Sequence, residues 1–236
     1  MSVADQLDDL EAFEQRLGHR FGDLHLLVHA LTHPSYLNEH PEDEIGDNQR
    51  LEFLGDAVLD FVTGAWVYRQ YPDFDEGRMT RLRAALVRTT TLAQLARQIG
   101  VGNVLRIGRG EEEAGGRDRE ANLCDAFEAV VGALYLDGGM TAVETFVEPL
   151  IAPVAEAILA AEADQDAKSR LQEWSQAEKG ITPQYRIVAE EGPDHAKTFV
   201  AEVRLGRKTV GRGSGRSKQA AEQAAAQAAL EALCGE

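Results

Sequence analysis

Two acidic side chains in an apolar helical stretch constrain the fold of this chain more than any other feature. Glu52 and Asp56 lie four residues apart in the segment 49–60, which reads QRLEFLGDAVLD. The helical period of the segment puts both carboxylates on one helix face, among large apolar neighbours. Charges in such surroundings carry a large desolvation cost unless a proton or a cation lies between them. The fold must compensate the desolvation cost of these two charges, and a divalent metal ion is the favoured candidate.

A second acidic pair lies in another apolar helical stretch. Asp125 and Glu128 are three residues apart in the segment 121–139, ANLCDAFEAVVGALYLDGG, with Asn122 one turn ahead. Carboxylate oxygens suit Mg²⁺ or Mn²⁺, which keep several waters and share their shell with substrate phosphate. Four acids from two helices are typical of metal-assisted phosphodiester hydrolysis. The alternative is that each acid lies on the polar side of an amphipathic helix, which two such pairs disfavour.

Composition predicts a cytoplasmic globular protein of one large or two ordinary domains. The 236 residues are 44% hydrophobic, with an acidic start and no apolar run of the roughly 18 residues that span a bilayer. We therefore expect neither secretion nor membrane association. Two distant cysteines, Cys124 and Cys234, disfavour a disulfide framework and fit a reducing compartment. A nucleophilic role for Cys124 is also disfavoured, because its neighbours are acidic and no histidine lies nearby in sequence.

The charge is distributed unevenly and separates the chain into two parts. The whole chain holds 24 Lys and Arg against 40 Asp and Glu, a net charge of −16, whereas residues 166–236 hold 11 against 10. The segment 158–167, ILAAEADQDA, is small and polar without an aromatic residue. We therefore predict a domain at 1–160, a linker at 161–167 and a second domain at 168–236.

Helical periodicity dominates the first part of the chain. Apolar spacing and the Gly and Pro positions predict helices at 50–71, 76–99, 123–136 and 141–159. In the last of these helices, Pro149 and Pro153 predict a kink. The segment 32–35, THPS, predicts a turn, and the glycine-rich segment 107–119 predicts a mobile loop. A phosphate-binding loop at 107–119 is disfavoured because its glycine spacing matches no such motif.

The second part changes to a strand period. Helices are predicted at 168–179 and 218–233, and strands at 184–191, 198–205 and 208–214. The fold class is thus mostly α, with an all-helical domain followed by a small α-β-β-β-α domain. Ser217 is a natural N-cap for the last helix, and Lys218 then lies at a helix N-terminus, which favours phosphate. Arg212 and Arg216 flank Lys218, and a solvated basic turn explains these three basic residues as well as a phosphate site does.

The segment 50–60, RLEFLGDAVLD, resembles the signature of the ribonuclease III family of bacterial double-stranded RNA endonucleases. Further matches follow in the same order along nearly the whole chain. In the first domain they are LLVHALTHPSY at 26–36, DEGRMTRLRAALV at 75–87 and LCDAFEAVVGALYLDGG at 123–139. Two segments of the second domain are similar to a double-stranded RNA-binding domain, GPDHAKTF at 192–199 and GRSKQAAEQAAA at 215–226.

The resemblance implies a reaction and a set of acids that carry it. The implied metal ligands are the four acids already singled out, Glu52, Asp56, Asp125 and Glu128, with Asp56 and Glu128 as the catalytic pair and Glu76 as a supporting acid. Water activated by Mg²⁺, for which Mn²⁺ substitutes, attacks the phosphodiester and leaves a 5′-phosphate and a 3′-hydroxyl. The family pairs as a homodimer that leaves short 3′ overhangs, and it processes ribosomal RNA precursors and other structured transcripts.

The resemblance also implies RNA contacts in the second domain. They are Ser169, Gln172 and Gln176 on its first helix, Pro193 and His195 in a loop, and Arg216 and Lys218 at the last helix. Such side chains suit the minor-groove hydroxyls and the phosphates of A-form RNA. The chain departs from the family pattern at Gln49, usually Glu, and at Gln219, often a second Lys.

Two other functions compete with the endonuclease. They are a non-cutting RNA-binding protein, disfavoured by the four acids, and a small-molecule phosphohydrolase, disfavoured by the second domain. A transition-metal site at His25, His29 and His33, which share helical spacing, competes with packing and capping roles. The lack of a nearby Cys pair or an HExxH motif favours packing and capping.

Overall fold

The chain forms two compact units, Met1–Ala155 and Glu156–Glu236. A computed structural model describes residues 3–165, 167–192 and 197–234. The first unit is helical, and the second contains a three-stranded antiparallel sheet flanked in sequence by helices. The predicted fold class is therefore confirmed. No helix of the described residues is long and apolar enough to cross a membrane.

Nine α-helices and one 3-10 helix lie among the described residues up to Gln165. In chain order they are α1 (Val3–Leu17), α2 (Leu24–Ala30), α3 (Pro34–Glu39), α4 (Gln49–Gln70), α5 (Glu76–Val87), α6 (Thr89–Ile99), α7 (Val101–Val104), α8 (Arg109–Glu113), the 3-10 helix Gly116–Asp118, and α9 (Glu120–Gln165). Helix α9 thus continues through much of the segment predicted as a linker. The bounds of the domains stay a prediction.

The structure corrects three local predictions in the first unit. The helix predicted at 76–99 is two helices, because Arg88 is extended (φ −67°, ψ 149°) and the Thr91 hydroxyl donates to the Ala85 carbonyl at 2.8 Å. Threonine competes in this way with helical hydrogen bonds. The turn predicted at 32–35 is the start of α3, which His33 caps. The loop predicted at 107–119 contains α8 and the 3-10 helix.

The break in α9 lies at a glycine rather than at its prolines. Gly139 has φ 69° and ψ −167°, whereas Pro149 and Pro153 lie inside the helix without such a departure. Glycine adopts a positive φ without a steric penalty, so the chain changes direction there. The predicted interruption at the paired glycines is confirmed, and the kink at the prolines stays a prediction.

Helices α4 and α9 meet backbone to backbone at two glycines. A Cβ added to Gly55 would lie 1.7 Å from the Glu128 carbonyl oxygen, and one added to Gly132 would lie 2.4 Å from the Leu51 carbonyl oxygen. Glycine is the one residue that permits such an approach. Around the contact, both helices bury large apolar side chains, among them Leu59 and Phe127. This crossing holds the two acidic pairs close together.

The second unit is an α-β-β-β-α fold. Helix α10 (Ala167–Lys179) precedes strands β1 (Gln184–Glu191), β2 (Thr198–Leu205) and β3 (Lys208–Gly215), and α11 (Lys218–Cys234) follows. The Ser217 hydroxyl accepts a hydrogen bond from the Ala220 amide at 3.1 Å, which confirms the predicted N-cap. A Cβ at Gly211 or Gly213 would lie 2.2–2.3 Å from the backbone of α11. The alanine face of α11 therefore packs directly on β3.

Candidate active site

The four predicted acids come together where α4 and α9 cross. Glu52 is half-buried and Asp56 is exposed on α4, and Asp125 and Glu128 are half-buried on α9. The charge of Glu52 interacts with those of Asp125 and Asp56. The charge of Glu128 interacts with Asp56, Asp125 and Glu52. We call these four carboxylates the acid cluster. Asp125 and Glu128 offer ligand atoms within 4.8 Å of each other, and the two acids of α4 interact with this pair through their charges.

Burial disfavours the ionised forms of Glu128, Glu52 and Asp125. Burial, which is the largest cause, and the charges of its acidic neighbours together raise the pKa of Glu128 to about 7, against the opposing effect of a hydrogen bond from Cys124. Burial likewise raises the pKa of Glu52, with help from Asp125 and Asp56. Burial also raises the pKa of Asp125. Converging carboxylates of this kind are stabilised by a divalent cation, so the donor set fits Mg²⁺ or Mn²⁺.

Cys124 lies inside the cluster, which the sequence alone does not reveal. Its Sγ donates to Glu128 Oε1 at 3.5 Å. Cys124, Asp125 and Glu128 each offer a ligand atom within 4.8 Å of the others. Burial, followed by the charge of Glu128, holds the pKa of the thiol well above its usual range. The thiol is therefore protonated in the metal-free chain, which weighs against a nucleophilic cysteine.

His33 faces the same cluster from α3 and was not predicted as a site residue. Its Nδ1 accepts a hydrogen bond from the Ser35 amide at 3.1 Å. The charge of Asp125 interacts with the ring, although burial is the larger effect and lowers the pKa of His33. His29 Nε2 lies 2.6 Å from the Asp47 carbonyl oxygen. The group of potential metal ligands found among the described residues contains no histidine, so packing and capping explain these rings.

The segment before α9 is held in place by a polar network. Asn122 Nδ2 donates to Glu111 Oε1 and to the Gly116 carbonyl, both at 3.0 Å. Arg119 forms an ion pair with Glu111, and Arg117 Nη1 donates to the Leu105 carbonyl at 2.6 Å. These contacts fix the first turn of α9, and Asp125 lies on the next turn of the same helix. The glycine-rich segment therefore supports the acid helix.

Glu76, the predicted supporting acid, is exposed in the first turn of α5. No hydrogen bond or ion pair of the Glu76 side chain is found within the described part of the chain. Its supporting role stays a prediction.

The residues predicted to contact RNA lie on several elements of the second unit. Ser169, Gln172 and Gln176 line one shallow depression on α10. Lys218 begins α11, and its Nζ lies 3.6 Å from Glu190 Oε1 and 5.8 Å from the centre of the Phe199 ring. Arg216 is exposed just before α11. Pro193 and His195 lie outside the described residues.

Comparison with known proteins identifies the family. A family model described as Ribonuclease-III-like matches residues 23–154, and one described as a double-stranded RNA binding motif matches residues 167–233. Ribonuclease 3 of Roseiflexus sp. (strain RS-1) is 49% identical over 235 residues, which cover 97% of this chain and 96% of the relative. The chain belongs to the ribonuclease III family.

Other relatives agree with this assignment. Ribonuclease 3 of Enterococcus faecalis is 44% identical over 206 residues, covering 87% of this chain and 89% of the relative. A solved nuclease domain of ribonuclease III from Campylobacter jejuni matches with a TM-score of 0.56 and 39% identity, covering 60% of this chain and 95% of that one. This member of the family is therefore an endoribonuclease that acts on double-stranded RNA.

Membership of the family indicates that the acid cluster binds a metal ion. Ribonucleases III generally depend on a metal ion, and the cluster of this member contains a group that could hold one. Its hard oxygen donors and raised carboxylate pKa values are the features that a divalent cation would satisfy. The role of each acid stays a prediction.

Proposed function

We propose that this enzyme is a Mg²⁺-dependent endoribonuclease, with Mn²⁺ able to substitute, that hydrolyses both strands of an RNA duplex. The products carry 5′-phosphate and 3′-hydroxyl ends with short 3′ overhangs. The observation that carries the proposal is the convergence of four carboxylates at the glycine crossing of α4 and α9. A role in processing ribosomal RNA precursors and other structured transcripts in the cytoplasm is part of the proposal.

The four acids bind the cation at the scissile phosphate, and two of them matter most for activity. Glu52, Asp56, Asp125 and Glu128 hold the cation, and Asp56 and Glu128 are the residues on which activity depends most. The chemistry that a bound cation would supply is activation of the attacking water and stabilisation of the leaving oxygen. Its charge also allows the RNA phosphate to approach a cluster that is otherwise negative. The exposed side of Asp56 is the open side of the cluster, where substrate can enter.

An apolar surface supports a homodimer through the first unit. Phe53 is 82% exposed, Tyr68 70%, Phe61 62% and Leu136 53%. Three of these side chains lie on α4, the helix that also carries Glu52 and Asp56. Large exposed aromatics of this kind mark protein interfaces. The C. jejuni nuclease domain is described as having flexibility in a region involved in dimer formation. Two copies would offer one acid cluster for each strand.

The second unit binds the duplex by its shape. Ser169, Gln172 and Gln176 are exposed on α10 and can reach 2′-hydroxyls across a wide minor groove. Lys218 at the start of α11 meets phosphates, together with Arg216. Because Gln219 replaces a second lysine, the salt dependence of binding is expected to be shallow. Pro193 and His195 are assigned to a further minor-groove contact.

The test is to map the products that the wild-type enzyme makes from a long perfect RNA duplex in Mg²⁺. Short duplexes with 5′-phosphates and 3′ overhangs are expected. Gel shifts in Ca²⁺, with RNA and DNA duplexes of equal length, measure binding separately, and RNA should bind far more tightly. Blunt products would contradict the paired sites, and equal affinity for DNA would contradict recognition of 2′-hydroxyls.

A further inference from the structure

The sheet of the second unit has one face against the helices and one open face. On β2, Ala201 and Val203 are buried, and they pack with residues of α10 and α11 in one core. Successive side chains of a strand point to opposite faces of the sheet. Glu202 and Arg204, which alternate with these two residues, therefore point to the open face.

Two further arginines join Arg204 on the open face. Arg186 lies between Tyr185 and Ile187, which both pack against the core. Arg212 lies on β3 between two glycines that pack directly on α11. The alternation of side chains again puts both arginines on the open face, and all three are exposed. We call Arg186, Arg204 and Arg212 the arginine face.

The arginine face is separate from the phosphate site expected at Lys218. Lys218 Nζ lies 5.8 Å from the centre of the Phe199 ring, and Phe199 packs against the core on the helix side of the sheet. Arg212 is near Lys218 in sequence but points to the opposite side of the sheet. The proposed function therefore leaves the arginine face without a role.

The register of the strands sets two of these arginines around a single acid. Arg186 is the partner of Glu202 across one strand pair, and Arg212 is its partner across the other. Neighbouring strands are about 4.8 Å apart, so the Cα atoms of the two arginines are about 10 Å apart. Among the described residues, neither arginine forms an ion pair. Around Glu202, the open face thus carries three positive charges against one negative charge.

This surface has the chemistry of a phosphate-binding surface. Guanidinium groups bind phosphate oxygens through pairs of parallel hydrogen bonds. Protein interfaces are typically anchored by aromatic side chains, and the described residues of the open face include none. RNA is the polyanion on which this family member acts. Once one part of an RNA is bound, its other segments are present at a high effective concentration.

We propose that the arginine face is a second RNA-binding surface, which holds phosphates of a further segment of a folded transcript. Its contacts are ionic and reach neither bases nor sugars, so the sequence and the 2′-hydroxyls of that segment do not affect them. A transcript with two helical arms would then contact both sides of the second unit. The inference goes beyond the proposed function, because neither the acid cluster nor Lys218 takes part.

Binding of a DNA duplex of about 16 bp to the full chain in Ca²⁺, followed by fluorescence anisotropy, tests the surface. DNA offers phosphates but no 2′-hydroxyls, so the minor-groove contacts of α10 contribute little. Each phosphate contact contributes about 0.9 to the salt slope. The double variant Arg186→Gln, Arg212→Gln should therefore lower the slope by about 2. Its loss of affinity between about 50 and 200 mM salt should be roughly tenfold smaller than that of the wild type.

Three changes of single charges complete the test. Lys208 begins β3 but is the partner of the buried Leu205, so it belongs to the helix side, and Lys208→Gln should leave the slope unchanged. Glu202→Gln should tighten binding about twofold to fourfold, the effect of one unit charge roughly 5–10 Å from a phosphate in water. Glu231→Gln makes the same change of charge at an exposed position of α11 and should have no effect. A gain of affinity cannot arise from a damaged fold, so Glu202→Gln keeps the test valid if the double variant is unstable.

Several results would overturn the proposal. They are an unchanged slope in the double variant, and equal effects of Glu202→Gln and Glu231→Gln. A double variant that keeps its DNA affinity but loses self-association in sedimentation would make the face a contact between copies of the chain instead. Failure of the wild type to cleave duplex RNA in Mg²⁺ would contradict the proposed function without changing the DNA slopes. The two failures are therefore distinguishable.

Discussion

Replacing Gly55 by alanine should disrupt both the fold and the acid cluster. The added Cβ would lie 1.7 Å from the Glu128 carbonyl oxygen, where ordinary contacts begin at 3.4 Å. The backbones of α4 and α9 must then separate by roughly 1.7 Å, the difference between these two distances. Neither atom belongs to a flexible side chain, so rotamer changes cannot relieve the clash. The separation moves Glu128 away from Glu52 and Asp56.

The expected magnitudes follow from this displacement. Overpacking an interior costs about 1–3 kcal/mol and occasionally more. Alanine recovers about 1 kcal/mol of helix propensity over glycine. Because the clash is between backbones, we expect it to exceed this range at about 3–4 kcal/mol. The net loss is then about 2–3 kcal/mol, which lowers the Tm of this unit by about 4–12 °C. Misplacing reacting groups by 1 Å can cost about 100-fold in rate, so cleavage should fall by at least that factor.

Calorimetry and cleavage in Mg²⁺ measure the two effects. Gly64→Ala is the matched control, because it lies in the same helix and its Cβ would meet Arg83 Cδ at 3.5 Å, an ordinary contact. We expect Gly64→Ala to stabilise the unit by about 0.5–1 kcal/mol. If Gly55→Ala kept the Tm and the cleavage rate of the wild type, the close crossing of α4 and α9 would be refuted.

Three further predictions concern ionisation, assembly and RNA binding. In EDTA, the Tm should fall as pH rises from 4.5 through about 7, because the raised pKa of Glu128 makes its protonated form stabilising. Glu128→Gln should flatten this dependence of Tm on pH, and an unchanged slope in the variant would refute the role of Glu128. Phe53→Glu should raise the dimer Kd about 30-fold or more by sedimentation, as expected for a buried aromatic anchor worth about 2 kcal/mol, whereas Ile181→Glu, in the second unit, should not. Lys218→Ala should lower the salt slope of duplex binding by about 1, and Lys208→Ala should leave the affinity unchanged; equal slopes for both would refute the phosphate contact.

The sequence predicts the acid pairs well because their signal is local. Glu52 and Asp56, like Asp125 and Glu128, are placed by helical spacing alone, and the middle strand of the second unit follows an equally clear alternation. The N-cap at Ser217 is local too. These features depend on residues within one or two turns, so the linear pattern contains the information that determines them.

Contacts between distant segments were harder to predict. The crossing at Gly55 and Gly132 joins residues far apart in sequence, although a glycine inside an apolar helix already signals a close approach. His33 reaches Asp125 from another element, and no spacing reports it. The break at Arg88 was missed because threonine, unlike proline, ends a helix only when its hydroxyl finds a competing carbonyl.

The thiol of Cys124 shows the same limitation in the site. Its neighbours in sequence indicate a buried packing residue, and the structure agrees that it is buried. The 3.5 Å approach of its sulfur to Glu128 depends on the rotamers of both side chains. A helical pattern puts two residues on one face but does not determine whether their atoms meet.

Cleavage of a long RNA duplex by Glu128→Gln in Mg²⁺ tests the central claim most directly. Glu120→Gln is the matched control, because Glu120 is an exposed acid on the same helix. The account predicts that wild type and Glu120→Gln cut the duplex, whereas Glu128→Gln binds it and leaves it intact. Cleavage by Glu128→Gln at a rate near that of the wild type would contradict the acid cluster as the catalytic site.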